Sequence, residues 1–230
     1  MRSLQDAMNK KDKRKKKRES NLLYDFVKIT GIVPAWLWVR PKVVSVTGNR
    51  PKKVKGGVLI AANHVTFIDP IIVHLAFWYR RLWSLATKDL FSSKFRTYFF
   101  TRCHCIIVDK QNFTVGALRG VCDRLKEGKA VSIFPEGSVN QENEDVRSYK
   151  SGAILMAHLA KKPILPVYIH KPERKFGRYH VVVGEPIDIS SMCGAIPSVE
   201  DIKAASEYLQ QKEVELKEYH DQRFLSKKEK

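Results

Sequence analysis

Acidic residues are scarce in this chain: 24 Asp and Glu stand against 42 Lys and Arg over 230 residues, a formal charge of +18 with histidine neutral. So large an imbalance points to an anionic partner: phospholipid headgroups, nucleic acid or phosphorylated small molecules. Cysteine is sparse too. The four, at 103, 105, 122 and 193, include no C-x-x-C pair, which argues against zinc ribbons and thioredoxin-like sites and fits a reduced cytosolic compartment. No G-x-S-x-G occurs, so the nucleophile elbow of serine hydrolases is missing, and no cysteine has an evident base at motif spacing. The N-terminus is a charge run without the apolar region or cleavage site expected of a secretory signal.

What remains is globular in composition, with 43% apolar, 10% aromatic and 29% charged residues, and long enough for one domain with a real core. Residues 1–20 hold nine basic and three acidic side chains; so dense a run repels itself and is expected to be a mobile polybasic arm. Residues 21–40 follow as an expected membrane-interface anchor, and 41–230 as the main domain. The segment LLYDFVKITGIVPAWLWV (22–39) carries Asp25, Lys28 and Pro34, so it is a weak bilayer span. Two short amphipathic pieces in the interface suit it better, with Tyr24, Trp36 and Trp38 at headgroup depth. An ordinary core helix packed on the domain is the alternative. Apolar anchor and basic arm together supply the two signals that stable peripheral binding needs.

From residue 41 the pattern alternates between strands and helices. Strands are expected at 54–63, 103–109, 130–135, 163–170 and 178–184, the apolar runs VKGGVLIAAN, CHCIIVD, AVSIFP, PILPVYIH and RYHVVVG. Cys103-His104-Cys105 is expected to place two small side chains on one strand face rather than to ligate a metal, because zinc needs four ligands. Helices are expected from Asp69-Pro70, with Asp as N-cap and Pro at the first helical position, through VGALRGVCDRLKEG to Gly128, and from Ser198, whose Ser-x-x-Asp spacing signals a cap. The fold class is therefore α/β, a mixed, largely parallel sheet flanked by helices.

Chemistry gathers where the first strand meets the first helix, in AANHVTFIDP. A five-residue loop can bring the His64 imidazole to the Asp69 carboxylate, and such a pair suits proton removal near neutral pH: the acid fixes the ring tautomer and stabilises the imidazolium. An Asp-Pro helix start beside a chance histidine is the bland alternative. The second constellation is FPEGS (134–138). Pro135 and Gly137 are expected to turn the chain sharply at a strand end and to expose Glu136 and backbone N–H groups at the carboxyl edge of the sheet, where open α/β sheets bind ligands; alone, it is also compatible with a β-turn carrying a solvated glutamate.

Taken in order, NHVTFIDP, CIIVDK (105–110), FPEGS and KPILPVYI (162–169) make the sequence resemble the glycerolipid acyltransferases, the family of lysophosphatidic acid and glycerol-3-phosphate acyltransferases. ATKDLF (86–91) and YKSGA (149–153) are lesser matches. The resemblance implies transfer of a fatty acyl group from a thioester, acyl-CoA or acyl carrier protein, to the hydroxyl of a lysophospholipid, foremost 1-acylglycerol-3-phosphate, with no metal and no resident cofactor. It implies that His64 and Asp69 are catalytic, that Glu136, Gly137 and Ser138 position the acceptor, and that Lys88 meets its phosphate. Pro163 and Pro166 would shape the strand near the acyl site. Two departures bear on the acceptor: Val139 stands where the family commonly has Arg, and His104 and Lys110 where Gly and Arg are usual, and lysine lacks the guanidinium fork. Lys88, Lys110, Arg147 or Lys150 would supply the charge, or the acceptor carries another headgroup.

The expected partners are thus an anionic phospholipid membrane, an acyl thioester donor and a lysophospholipid acceptor, with the protein peripheral at the cytoplasmic face of the cell membrane. The rival from another class is a nucleic-acid-binding protein, resting on charge alone; no helix-turn-helix, zinc-finger, KH or RNP-type pattern accompanies it, so no specific nucleic acid is expected. A His/Asp metallohydrolase lacks further ligands at recognisable spacing.

Overall fold

A computed structural model describes residues 21–47, 51, 53–109, 115–140, 147–173 and 177–225. The polybasic arm and Lys110 lie outside them. Helix α1 (Leu22–Val39) leads into strands β1 (Lys42–Ser45) and β2 (Val58–Ala62), helix α2 (Asp69–Ala76), β3 (Leu82–Thr87), a 3₁₀ turn at Lys88–Phe91, α3 (Lys94–Arg102) and β4 (Cys105–Val108). Then come α4 (Val115–Lys126), β5 (Ala130–Ile133), α5 (Gly152–Ala160), β6 (Ile164–His170), β7 (His180–Val183) and the long α6 (Val199–His220).

The seven strands form one sheet in the order β1-β7-β6-β2-β5-β3-β4. Every pair is parallel except β6 with β7, so the sheet is mixed and largely parallel. The central strand β2 is VLIAA, buried at all five positions, as expected of a strand covered on both faces. Its side chains alternate between two cores. Leu59 and Ala61 join Val121 and Leu125 of α4, Ile154 and Met156 of α5, and Leu209 of α6; Val58, Ile60 and Ala62 join Ile72 and Val73 of α2 and Val39 of α1. Connections β2 to β3 and β3 to β4 step one way along the sheet, and β4 to β5 and β5 to β6 step back. Right-handed crossovers therefore put α2 and α3 on one face and α4 and α5 on the other. Burial agrees.

Several local expectations are corrected. Residues 22–39 form one continuous helix with Pro34 inside it, not two pieces. Pro34 and Thr30, whose carbonyl loses its N–H partner, both lie on the exposed side, so the freed acceptor is not shut inside the core and the helix continues. Tyr24 is not at headgroup depth: it is buried, and its hydroxyl accepts a hydrogen bond from the Leu82 N–H at 3.0 Å. Cys103 and Cys105 do not share a strand face, because Cys103 caps α3 and His104 has a left-handed φ of 64°. The His104 ring is instead sandwiched between Tyr24 and Trp83, 4.3 Å from each. The Ser198 cap is present as a full capping box with Asp201, and α4 stops before Gly128 at φ 78°. Strands β1 and β3 and helices α3 and α5 add to the elements expected from the sequence.

Candidate active site

The site lies at the carboxyl edge of the sheet, on the loops after β2 and β5. Asn63 sets the loop after β2. Its buried amide donates to the Ile169 carbonyl at 2.9 Å and accepts from the Ile169 N–H at 2.6 Å, so a side chain extends the β2–β6 ladder one residue beyond the strand. His64 follows, held by its backbone at both groups: its N–H donates to Glu136 Oε1 at 3.2 Å and its carbonyl accepts from the Asn140 N–H at 2.6 Å. The 134–140 segment thus clamps the histidine onto the strand end.

Asp69 turns back into the loop. It is not the N-cap expected from the sequence but the first helical residue, with Ile68 before it and Pro70 second. Its buried Oδ2 accepts from the N–H groups of Val65 at 2.7 Å and Thr66 at 2.8 Å and lies 2.8 Å from His64 Nδ1, while Thr66 Oγ1 bonds Oδ1. An oxygen already accepting two N–H groups takes the imidazole as a donor. Nδ1 therefore carries the proton and Nε2 presents a lone pair. The ring stacks on Phe134, 4.3 Å between centroids, and the side chain keeps 17% exposure.

Glu136 differs from expectation. The turn does not expose it: it is 6% accessible, one oxygen taken by the His64 N–H and the other, Oε2, without a partner among the described residues. Burial pushes its carboxyl up to about 7, offset in part by the His64 N–H, the His64 ring and Arg147. Gly137 adopts φ 74° and its N–H closes the turn onto the Phe134 carbonyl at 3.0 Å. A Cβ there would sit 2.8 Å from Lys150 Nζ, so the Lys150 side chain crosses directly over the glycine. Ser138 and Lys150 are exposed at this turn, and Arg147 is half-buried. Lys88 is exposed in the 3₁₀ turn after β3, a strand separated from β2 by β5; it shares the edge without touching the dyad.

A cavity of about 350 Å³ opens beside Glu136, lined also by Asn63, Asn140, His170, Lys171, Lys217 and Asp221. None of these lining partners was expected from the sequence, nor was Glu213, a fully buried carboxyl on α6 whose two oxygens have no partner among the described residues. Burial, and secondarily the charge of Glu136, pushes Glu213 well above the ordinary carboxylate range. A glutamate at a position of α6 in phase with Leu209 and Leu216 was the one signal available.

The acyltransferase family profile matches residues 43–170, a span that holds the dyad, the FPEGS turn, strands β2 to β6 and most of β1. The chain belongs to that family. The acyltransferase is 30% identical over 171 residues to the 1-acyl-sn-glycerol-3-phosphate acyltransferase of Bacillus subtilis, a match covering 72% of this chain and 84% of that one. It is 28% identical to the enzyme of the same name from Streptococcus pneumoniae, covering 71% of this chain and 63% of the relative. The crystal structure of the 1-acyl-sn-glycerophosphate (LPA) acyltransferase PlsC from Thermotoga maritima superposes with a TM-score of 0.57 over 86% of this chain and 93% of its own, at 20% identity. That likeness is one of fold.

Proposed function

We propose that the acyltransferase moves a fatty acyl group from a thioester, acyl-CoA or acyl carrier protein, to the free hydroxyl of 1-acylglycerol-3-phosphate. One observation carries the chemical part of this reading: the Asp69 carboxylate 2.8 Å from His64 Nδ1, in a ring that is still partly accessible. Relatives named for that substrate support the acceptor. His64 Nε2 takes the proton of the acceptor hydroxyl as its oxygen attacks the thioester carbonyl. The tetrahedral intermediate collapses to an ester, the C–S bond breaks, and the imidazolium returns its proton to the departing thiolate. Asp69 holds the ring tautomer and stabilises the imidazolium between the two transfers.

Gly137 and Ser138 meet the acceptor at the turn, with Glu136 holding the His64 N–H beside them, and Lys150 and Lys88 are exposed cations of this edge for a phosphate approaching from solvent; Lys110, expected from the sequence as a further phosphate contact, lies outside the described residues. The thioester is a co-substrate, and the scheme uses no metal or resident cofactor. A different lysolipid acceptor is the second reading, favoured by Val139 at the position where an arginine would give a bidentate phosphate contact. Helix α1 serves as a peripheral anchor on an anionic membrane at its cytoplasmic face, since it is apolar enough to enter a bilayer and has little of its length buried.

The deciding experiment measures free thiol release from acyl-CoA and from acyl carrier protein across a panel of lysolipids, with the parent protein and His64→Ala. Release that depends on 1-acylglycerol-3-phosphate and on His64 is expected. Parental rates from His64→Ala overturn the mechanism, and release only with other lysolipids overturns the acceptor.

A further inference from the structure

Large apolar side chains left in water are distributed one-sidedly. Of the nineteen that are exposed among the described residues, thirteen fall between Leu22 and Tyr98, on α1, α2, α3 and the connections that cover a single face of the sheet. Helix α1 accounts for part of this. Helix α3, KFRTYFFTR, is different in kind: it has four aromatic residues, three basic ones and no acid, and not one of its residues is buried. Its inner side is tied down by Phe99 and Phe100, the latter 5.8 Å from Phe91, and by Thr97 Oγ1 donating to the Phe91 carbonyl. Phe95 and Tyr98 remain 75% and 57% accessible. The Arg102 guanidinium lies 5.2 Å over the Tyr98 ring, and Lys94 and Arg96 are exposed beside Phe95.

Aromatic rings flanked by cations, with no carboxylate, match the headgroup layer of an anionic bilayer, where rings sit at the boundary and basic side chains meet phosphate. A globular partner of neutral surface offers no counter-charge for Lys94, Arg96 and Arg102. The location is consistent: α3 begins at the carboxyl edge of β3, the edge that also carries His64, and Phe67, 78% exposed, stands on that edge between His64 and Asp69.

We propose that α3 is a second membrane-docking element, with Phe95 and Tyr98 entering the interface of an anionic bilayer alongside α1 and bringing the edge that holds His64 onto the lipid surface. The inference rests on the membrane part of the reading above and deepens it. Two contacts at separate points fix the orientation of the domain, where α1 alone would leave it free to roll about the helix axis.

The test is co-sedimentation of the full chain with vesicles of phosphatidylglycerol and phosphatidylcholine, without acceptor or thioester, comparing the parent with Phe95→Ser/Tyr98→Ser and with Ile196→Ser/Val199→Ser as a control for exposed apolar loss elsewhere. Loss of two interfacial rings is expected to weaken partitioning about tenfold or more, with an unchanged melting temperature, while the control binds like the parent. Binding of the α3 variant within twofold of the parent overturns the proposal, and so does a parent that does not bind these vesicles. If the parent sediments as a dimer without lipid and the α3 variant as a monomer, the surface is a contact between copies and the proposal fails. Because no turnover is measured, acyl transfer can fail while this inference stands, and the reverse.

Discussion

Replacing His64 by alanine removes the imidazole of the dyad but little packing, because the side chain is partly exposed and stacks on one ring, Phe134. Turnover is expected to be lost, with a melting temperature within a few degrees of the parent's; a general base contributes about 10² to 10⁴ in rate. Asp69→Asn is a different kind of change. An amide sets an N–H₂ group against donors that now converge on two carboxylate oxygens, so it costs about 1–3 kcal/mol of stability as well as the ring's tautomer. Thermal melts beside turnover separate the two effects. The buried carboxyls give a pH signature of their own. Glu136 is raised from 4.5 to about 7, so the folded state holds its proton more tightly than the unfolded one. The stability this confers is fully present below pH 4.5 and is lost as pH rises to about 7. Glu213 extends that loss to higher pH. Glu213→Gln, neutral at every pH, is expected to melt like the parent at pH 4, below the ordinary carboxylate value, and increasingly above it as pH rises to 9; a difference between variant and parent that is the same at pH 4 and pH 9 would show that folding does not raise the Glu213 carboxyl. The pairing of His64 with Asp69 was legible from five-residue spacing across a strand-to-helix loop. Burial of Glu136 was not, since a Pro-Glu-Gly turn looks solvated until Lys150 and the loop after β2 are known to close over it.

At the scale of elements, the loop that carries the dyad depends on Asn63 as much as on its own turn. Asn63→Ala leaves the Ile169 N–H and carbonyl, both buried at the end of β6, without their partners. A cost of about 2–4 kcal/mol is expected, read as a lower urea midpoint, with turnover falling further than the population of folded protein because His64 loses its anchor. The strands that the sequence announced were the uniformly apolar ones, VLIAA in β2 and ILPVYIH in β6, buried along almost their whole length. Strand β3, LWSLAT, has a serine at a buried position, Ser84, whose hydroxyl pairs with that of Ser132 on β5 at 2.8 Å. A cross-strand hydroxyl pair cannot be read from one strand alone. Helix α3 escaped for a related reason: with no buried residue it lacks the apolar periodicity by which a helix is recognised.

Across the whole molecule, net charge and the apolar N-terminal segment suggested a membrane surface, and the packing of α1 says how it can meet one. Both ends of the helix are fixed to the domain. Near its start, Tyr24 is buried against Leu82, Asp25 pairs with Arg81 at 2.7 Å and Lys28 Nζ donates to the Arg80 carbonyl at 2.6 Å; at its end, Val39 is fully buried. A helix tied at both ends to one face of a sheet cannot cross a bilayer without tearing these contacts, so as the proposed anchor its outward stripe of Leu22, Phe26, Ile29, Val33 and Trp36 would enter the interface lengthwise. Deleting residues 1–38 is therefore an ambiguous test, because it removes Tyr24 from the core along with the stripe and is expected to lower the melting temperature. Phe26→Ser/Ile29→Ser/Val33→Ser leaves the buried side untouched. This variant is expected to release the protein from anionic vesicles while melting within a few degrees of the parent, and retention on vesicles at the parental level would show that α1 lies on some other surface.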